Sequence, residues 1–231
     1  MKVLCVLNPI SAGGLPIQRW PQVVSILNEF GIDYELLANK EVPLDVQLMD
    51  RLEKGDPDEF VAIAGIGGDG TQSAAINALM RFKQKYPGVA IPPYGFIPMG
   101  VGNDIAKSFG LTARSDLFVD DVRRSVSTLA HGADYQLDLG RVKDRYFADA
   151  LTIGLDSQIL RERNRRKRKW DKIPLLRRLA GGPLLYTLST SIPIWRHRAL
   201  DAEITVDGII WYSGPILNLI VNNTRIYAGE F

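Results

Sequence analysis

The chain has 231 residues and 25.7 kDa, with 46% hydrophobic, 23% charged and 9% aromatic residues, a formal net charge of +2 and a mean hydropathy of -0.03; a chain of this size and composition buries a core and is neither disordered nor fibrous. Its single cysteine, Cys5, excludes an internal disulfide, and its two histidines, His131 and His197, exclude a Cys/His zinc cluster. The apolar start stops at Asn8-Pro9 before a signal-peptide core forms, and the longest uncharged stretches, 179–195 and 208–224, are 17 residues each and broken by polar residues, so a soluble protein of the cytoplasm is expected.

Residues 1–130 alternate strand and helix. Residues 3–7 are a continuous apolar run, the pattern of a parallel strand buried on both faces. Residues 22–30 put Val23, Leu27 and Phe30 on one helical face, with Gly31 as C-cap. A strand at 34–38 and a helix at 44–54 follow. The strand at 60–64 runs into Gly65-Ile-Gly-Gly-Asp-Gly-Thr71, and a helix is predicted over 72–86. A strand at 94–97 leads to Pro98-Met-Gly-Val-Gly-Asn-Asp104 and a helix at 105–109; Ser115 is read as the N-cap of a helix ending near Ala130. Strands alternating with helices predict a doubly wound, mostly parallel α/β sheet. After Gly132 the rhythm changes to strands at 135–142, 146–153, 202–206, 209–212 and 216–221, with Asp207-Gly208 as a type I′ hairpin turn. The expected division is an α/β domain over 1–132 followed by a mainly antiparallel β-rich domain over 133–231.

The strongest chemical signal is the glycine cluster at a strand-to-helix junction, where backbone N–H groups and a helix N-terminus suit a phosphate. Gly65, Gly67 and Gly70 match a dinucleotide fingerprint, but no Asp or Glu lies between Asp69 and Asp104 to hold a ribose. The Walker A frame lacks its lysine, and Asp69 puts the opposite charge near that place. A carboxylate beside phosphates needs Mg²⁺ between them, or acts as a base on an incoming hydroxyl.

Gly67-Gly-Asp-Gly-Thr71, preceded by Asn8-Pro9 with Ser11 and Gly13 and followed by Pro98-x-Gly100-x-x-Asn103-Asp104, resembles the diacylglycerol kinase catalytic-domain family, which includes bacterial soluble lipid kinases and sphingosine kinases. Asp138-Leu-Gly140 and Asn222…Tyr227-Ala-Gly229 extend the resemblance over most of the chain. It implies an ATP-dependent lipid kinase acting on a hydroxyl of a diacylglycerol-like or sphingoid lipid in phospholipid biosynthesis, with residues 1–132 binding ATP and 133–231 the lipid. It further implies that Asn8, Ser11, Ala12, Gly13 and Asn39 lie at the nucleotide. Ile66, Gly67, Gly68, Asp69, Gly70 and Thr71 wrap its phosphates, joined by Gly100, Val101 and Asn103. Asp69 is the catalytic candidate, and Asp69, Asp104 and, through water, Asp138 are the candidates for Mg²⁺. Val101 replaces a usual threonine, and Glu230 a usual glycine. The family continues beyond the point matching Phe231, so the β-rich domain is expected to be incomplete. Two alternatives stay open: nucleotide binding without turnover, and an enzyme like the NAD kinases, which share the Gly-Gly-Asp-Gly-Thr motif.

From Arg161 to Arg178 the chain holds ten Lys or Arg against Glu162 and Asp171, a local +8. A solvated helix face and peripheral contact with anionic membrane both fit, the latter because Trp170, Ile173, Leu175, Leu176 and Leu179 lie alongside. One aromatic provides no stacking series, which disfavours nucleic acid. A lipid substrate is the expected partner, and a homodimer is left open.

Overall fold

Four of the expected strands assemble into one sheet. The computed structural model describes residues 1–100, 102–111, 116–132, 134–170, 173, 189–191 and 197–226. Strands β1 (Lys2–Leu7), β2 (Asp33–Leu37), β3 (Ala62–Gly67) and β4 (Tyr94–Pro98) pair in the order β2-β1-β3-β4, every pair parallel. Helices α1 (Leu15–Glu29), α2 (Leu44–Lys54), α3 (Asp69–Lys85), α4 (Asp104–Ser108) and α5 (Phe118–His131) fill the connections and follow the last strand.

The side-chain alternation of β1 requires cover on both faces. Val3, Cys5 and Leu7 join one core with Val23, Ile26 and Leu27 of α1 and Phe118, Val122 and Val126 of α5. Leu4 and Val6 join another with Leu48 and Leu52 of α2 and Ala75, Leu79 and Phe82 of α3. Each fully buried aliphatic contributes about 1.5–3 kcal/mol by leaving water. This is the doubly wound arrangement expected from sequence. Burial pushes the Cys5 thiol up to about 12, so Cys5 is an inert apolar residue.

The start of α1 departs from the expected 22–30. The helix begins at Leu15, with Pro16 in its first turn and Pro21 inside it. Pro16 lacks only an N–H that has no partner there anyway. Pro21 frees the carbonyl of Ile17, and both residues are exposed, so the lost bond falls on the solvent side of the helix. The other end follows the reading: Gly31, at φ 63, donates to Asn28 O at 3.0 Å and Ile32 N–H donates to Leu27 O at 3.0 Å, a Schellman closure. Helix α5 starts at Phe118; the predicted N-cap Ser115 lies outside the described residues.

Beyond α5 come β5 (Gly140–Val142), β6 (Arg145–Phe147), β7 (Ala150–Gly154), α6 (Leu155–Trp170), β8 (Leu200–Val206), β9 (Ile209–Ile216) and β10 (Asn218–Asn222). β5–β6 and β8–β9 are antiparallel hairpins, and β10 pairs with β7. Asp207 and Gly208 have φ of 51° and 81°, as a type I′ turn requires. The expected strand at 135–142 is ordered as strand only from Gly140. The expected strand at 146–153 is two, because the strand is interrupted at Ala148-Asp149.

By contact the chain forms two compact units, Met1–Asp149 with the returning residues 222–226, and Ala150–Val221. Among the described residues no helix is long and apolar enough to cross a membrane.

Candidate functional site

The strand order locates the site. From β1 the chain crosses to β2 on one side, then returns to β3 on the other, so the C-terminal ends of β1 and β3 adjoin a topological switch point, where open α/β sheets receive ligands. The loops after β1, β3 and β4 all emerge at this end.

After β1, the Asn8 N–H donates to Ile66 O at 3.3 Å, joining the two loops across the switch. Asn8 Oδ1 accepts from Ile10 N–H at 3.2 Å, and Asn8 O accepts from the Ser11 hydroxyl at 3.0 Å. Ala12, Gly13 and Gly14 then take φ of 45°, 72° and 91°. Three left-handed residues in succession make a tight turn, at a cost of about 1–2 kcal/mol for Ala12, which is not a glycine.

After β3, Gly68 meets the loop after β4 backbone to backbone. A Cβ on Gly68 would stand 2.8 Å from Gly100 Cα, and one on Gly100 would meet Gly68 Cα and, at 2.8 Å, Asn103 Oδ1. Asn103 is 3% exposed, with left-handed φ of 56°. Its Oδ1 accepts from Gly100 N–H at 2.8 Å and its Nδ2 donates to Gly100 O at 2.9 Å. Asn103 stands at the N-cap position of α4, yet its side chain makes no capping bond and spends its polar atoms closing the Gly100 loop.

Two of the predicted acids come together. A Cβ on Gly102 would lie 2.9 Å from Asp69 Oδ2 and 3.2 Å from Asp104 Oδ1, so both carboxylates flank this residue. Asp69 Oδ1 also accepts from Ile105 N–H at 3.4 Å, and Asp104 is buried. Asp69 opens α3 and Asp104 opens α4, each at the positive end of its helix. Thr71 is buried in the first turn of α3. Gly70 has open space where a Cβ would stand.

The remaining candidates are placed differently. Asn39 follows the edge strand β2 and holds the loop before α2: its N–H donates to Gln47 Oε1 at 2.9 Å, its O accepts from Gln47 Nε2 at 2.7 Å, and its Oδ1 accepts from Glu41 N–H at 2.9 Å. Asp138 is exposed, and its backbone O accepts from Asn223 Nδ2 at 2.6 Å. Val101 lies outside the described residues.

An acid that sequence reading missed is Asp149. Its carboxyl is pushed up to about 6, chiefly by burial and in smaller part by the charges of Asp104 and Asp69, against a Thr224 hydroxyl donating at 2.7 Å. Asn223 N–H donates to Asp149 O at 2.7 Å and Asn223 Nδ2 to Ala148 O at 3.2 Å, fixing the turn. The available signal was an acidic residue inside an otherwise apolar run. Gln72 was also missed; it sits behind the glycine loop, 4% exposed.

The charges of Asp69 and Asp104 both bear on Asp149, and acids placed in this way suit a nearby cation. Mg²⁺ keeps several waters and takes one or two carboxylates plus substrate phosphates, and the pair at Gly102 fits that pattern. Among the described residues no group of three or more His, Cys, Asp or Glu stands ready to enclose a metal.

Comparisons with known proteins converge on one family. Residues 2–142 match the profile described as diacylglycerol kinase catalytic domain. A curated diacylglycerol kinase of Mycobacterium tuberculosis is 26% identical over 99% of this chain, and one of Staphylococcus carnosus is 22% identical over 97%. This chain spans 66% and 64% of their lengths, respectively. A crystal structure of a diacylglycerol kinase from Bacillus anthracis str. Sterne superposes with a TM-score of 0.65 at 21% identity, covering 99% of this chain and 66% of that one.

Proposed function

The chain belongs to the diacylglycerol kinase catalytic-domain family, and we propose that it transfers phosphate from ATP to a hydroxyl of a diacylglycerol-like or sphingoid lipid. The observation that carries this reading is the backbone apposition of Gly68 and Gly100 beside the Asp69–Asp104 pair. Side-chain-free backbone at a helix N-terminus suits phosphate, and paired carboxylates suit the cation that accompanies it.

In this reading Asn8, Ser11, Ala12, Gly13 and Asn39 contact the nucleotide, and Ile66–Thr71 with Gly100, Val101 and Asn103 receive its phosphates. Asp69 and Asp104 hold Mg²⁺, with Asp138 reached through water. When bound, the ion offsets the charge of the phosphate oxygens. Asp69 is also the group that accepts the proton of the attacking lipid hydroxyl. Residues 133–231 supply the lipid side, and the basic face of α6 meets anionic membrane.

The test is phosphate transfer. The purified chain with Mg·ATP and labelled γ-phosphate is offered diacylglycerol or sphingosine in mixed micelles. Label in the lipid is expected for one of them. Absence of label in both lipids, with a full-length relative active in the same micelles, overturns the kinase reading of this chain.

A further inference from the structure

A buried amide behind the glycine loop has no role in the reading given so far. Gln72, in the first turn of α3, donates from Nε2 to Gly65 O at 3.2 Å and to Gly67 O at 3.3 Å. Its Oε1 accepts from the Tyr94 hydroxyl on β4. A Cβ on Gly65 would collide with Tyr94 Oη and Gln72 Oε1, so this glycine makes the room that the pair occupies. Burial pushes the Tyr94 phenol up, which keeps it a donor at ordinary pH. Tyr94, Gln72 and the two loop carbonyls are thus wired in series. An apolar side chain would fill the same volume without a buried amide to satisfy, so the polar wiring needs a reason.

The reason is directional. Gly67 O also accepts from Met99 N–H at 2.9 Å, on the β4 side. No described peptide is cis, and in a trans peptide the C=O and the following N–H point in opposite directions. Holding Gly67 O toward Gln72 and β4 therefore turns the Gly68 N–H toward β1, the side of Asn8 and Ser11. Between two glycines that orientation is easily lost, because no Cβ restricts either rotation.

We propose that Gln72 is a positioning residue for phosphate: steadied by Tyr94, it fixes the Gly67–Gly68 peptide so that the Gly68 N–H faces the switch point. This rests on the reading of the loop as the site of the ATP phosphates. Gln72 touches no ligand itself; it acts through the peptide.

The test uses the purified chain, Mg·ATP as probe, and the variants Gln72→Leu, Tyr94→Phe and the double variant. Calorimetry is expected to show Gln72→Leu binding Mg·ATP about tenfold or more weakly and Tyr94→Phe less affected. The double variant matches Gln72→Leu alone, because Tyr94 works through Gln72. In NMR spectra the Gly68 amide resonance shifts on saturating the wild type and stays in place in Gln72→Leu at saturation, a signature that general loosening of the core does not produce. If Gln72→Leu fails to fold, Tyr94→Phe carries the test, with about a threefold loss of affinity and a smaller Gly68 shift expected. Wild-type affinity in both single variants, additive losses, or a Gly68 resonance indifferent to ligand in the wild type overturns the proposal alone. Failure of the wild type to bind Mg·ATP overturns the phosphate reading, and this proposal with it.

Discussion

The α-carbon of Gly100 crowds the place where a side chain on Gly68 would begin: a Cβ there would stand only 2.8 Å from it. Gly100 Cα cannot yield cheaply, since it belongs to backbone and Asn103 holds Gly100 through both its N–H and its O. Gly68→Ala is therefore expected to separate the two loops, lowering ATP affinity by about tenfold or more and costing roughly 1–3 kcal/mol of stability. Calorimetry and thermal melting check both effects. Gly70→Ala is the control: its Cβ meets open space in a helix, so melting should not fall.

Asn103→Ala removes two hydrogen bonds from a buried residue and leaves alanine in left-handed backbone. At about 1 kcal/mol for each bond and 1–2 kcal/mol for the backbone, a loss of roughly 3 kcal/mol is expected in urea unfolding. A loss near zero would mean that water replaces the clamp.

Asp69→Asn keeps the shape and removes one charge from the pair at Gly102. Nucleotide binding should lose its dependence on Mg²⁺, and turnover should fall by about 10²-fold or more. Titration with ATP in the presence of Mg²⁺ or of chelator reads the first effect directly. Equal metal dependence in variant and wild type would reduce Asp69 to a helix-start residue.

Asp149 sets a pH dependence with a definite sign. Its carboxyl titrates at about 6 in the folded protein and near 3.8 when unperturbed, so the folded state binds the proton more tightly. The favourable contribution is complete below the lower value, declines as pH rises, and is gone above the higher one, where the ionised group is a burden. Asp149→Asn keeps an acceptor for the Thr224 hydroxyl. After allowance for solvent screening it should gain about 1–2 kcal/mol over wild type at about pH 7.5 and nothing at about pH 4. Urea midpoints for the two proteins across that range test this; parallel curves would show that Asp149 titrates normally.

On α6 the charge arithmetic of the sequence is moderated by pairing. Glu162 holds Arg165 at 3.2 Å and Arg166 at 2.7 Å, while Arg161, Arg168 and Lys169 are exposed. Reversing those three exposed residues to Glu should weaken partition onto phosphatidylglycerol vesicles by about 100-fold or more, from about 1 kcal/mol per basic residue. Wild-type binding should also fall with salt, as the Debye length shortens to about 8 Å at physiological strength. ATP binding should survive, because the reversed residues belong to the Ala150–Val221 unit. Wild type that fails to sediment with vesicles would remove the membrane contact, and stronger salt-sensitive retention on DNA would replace it with nucleic acid.

The parallel half of the fold was legible because its central strands β1 and β3 are buried on both faces and write themselves as apolar runs, each ending in a turn or glycine cluster. Asp69 was legible from its place in the glycine loop, whereas Asp104 came only from the family resemblance. Helix α1 was shortened in the reading because Pro21 is a breaker by local rule, and only solvent at Ile17 and Pro21 makes it tolerable. Asp149 left only the faint local mark of an acid in an apolar run, and Gln72 left none. The first matters through Thr224, far along the chain, and the second through Tyr94 on the next strand. The bonds by which the Asn103 side chain closes the Gly100 loop join residues three apart, a pairing that periodicity does not reveal.

The return of residues 222–226 to the first unit has a consequence for how the chain is made. Thr224 reaches Asp149 across 75 residues, Asn223 reaches Asp138 across 85, and Ile226 N–H reaches the Ser108 hydroxyl across 118. On a ribosome the parallel sheet emerges early, yet these partners emerge only after the whole of Ala150–Val221 has been synthesised. At about 5–20 residues per second, that interval is on the order of 4–14 s. During it the turn at Ala148-Asp149 and the end of α4 lack the bonds that later hold them, and distant closures of this kind are slow in any case. The acidic corner is therefore completed late in the making of the N-terminal unit, although every strand beneath it has already been made.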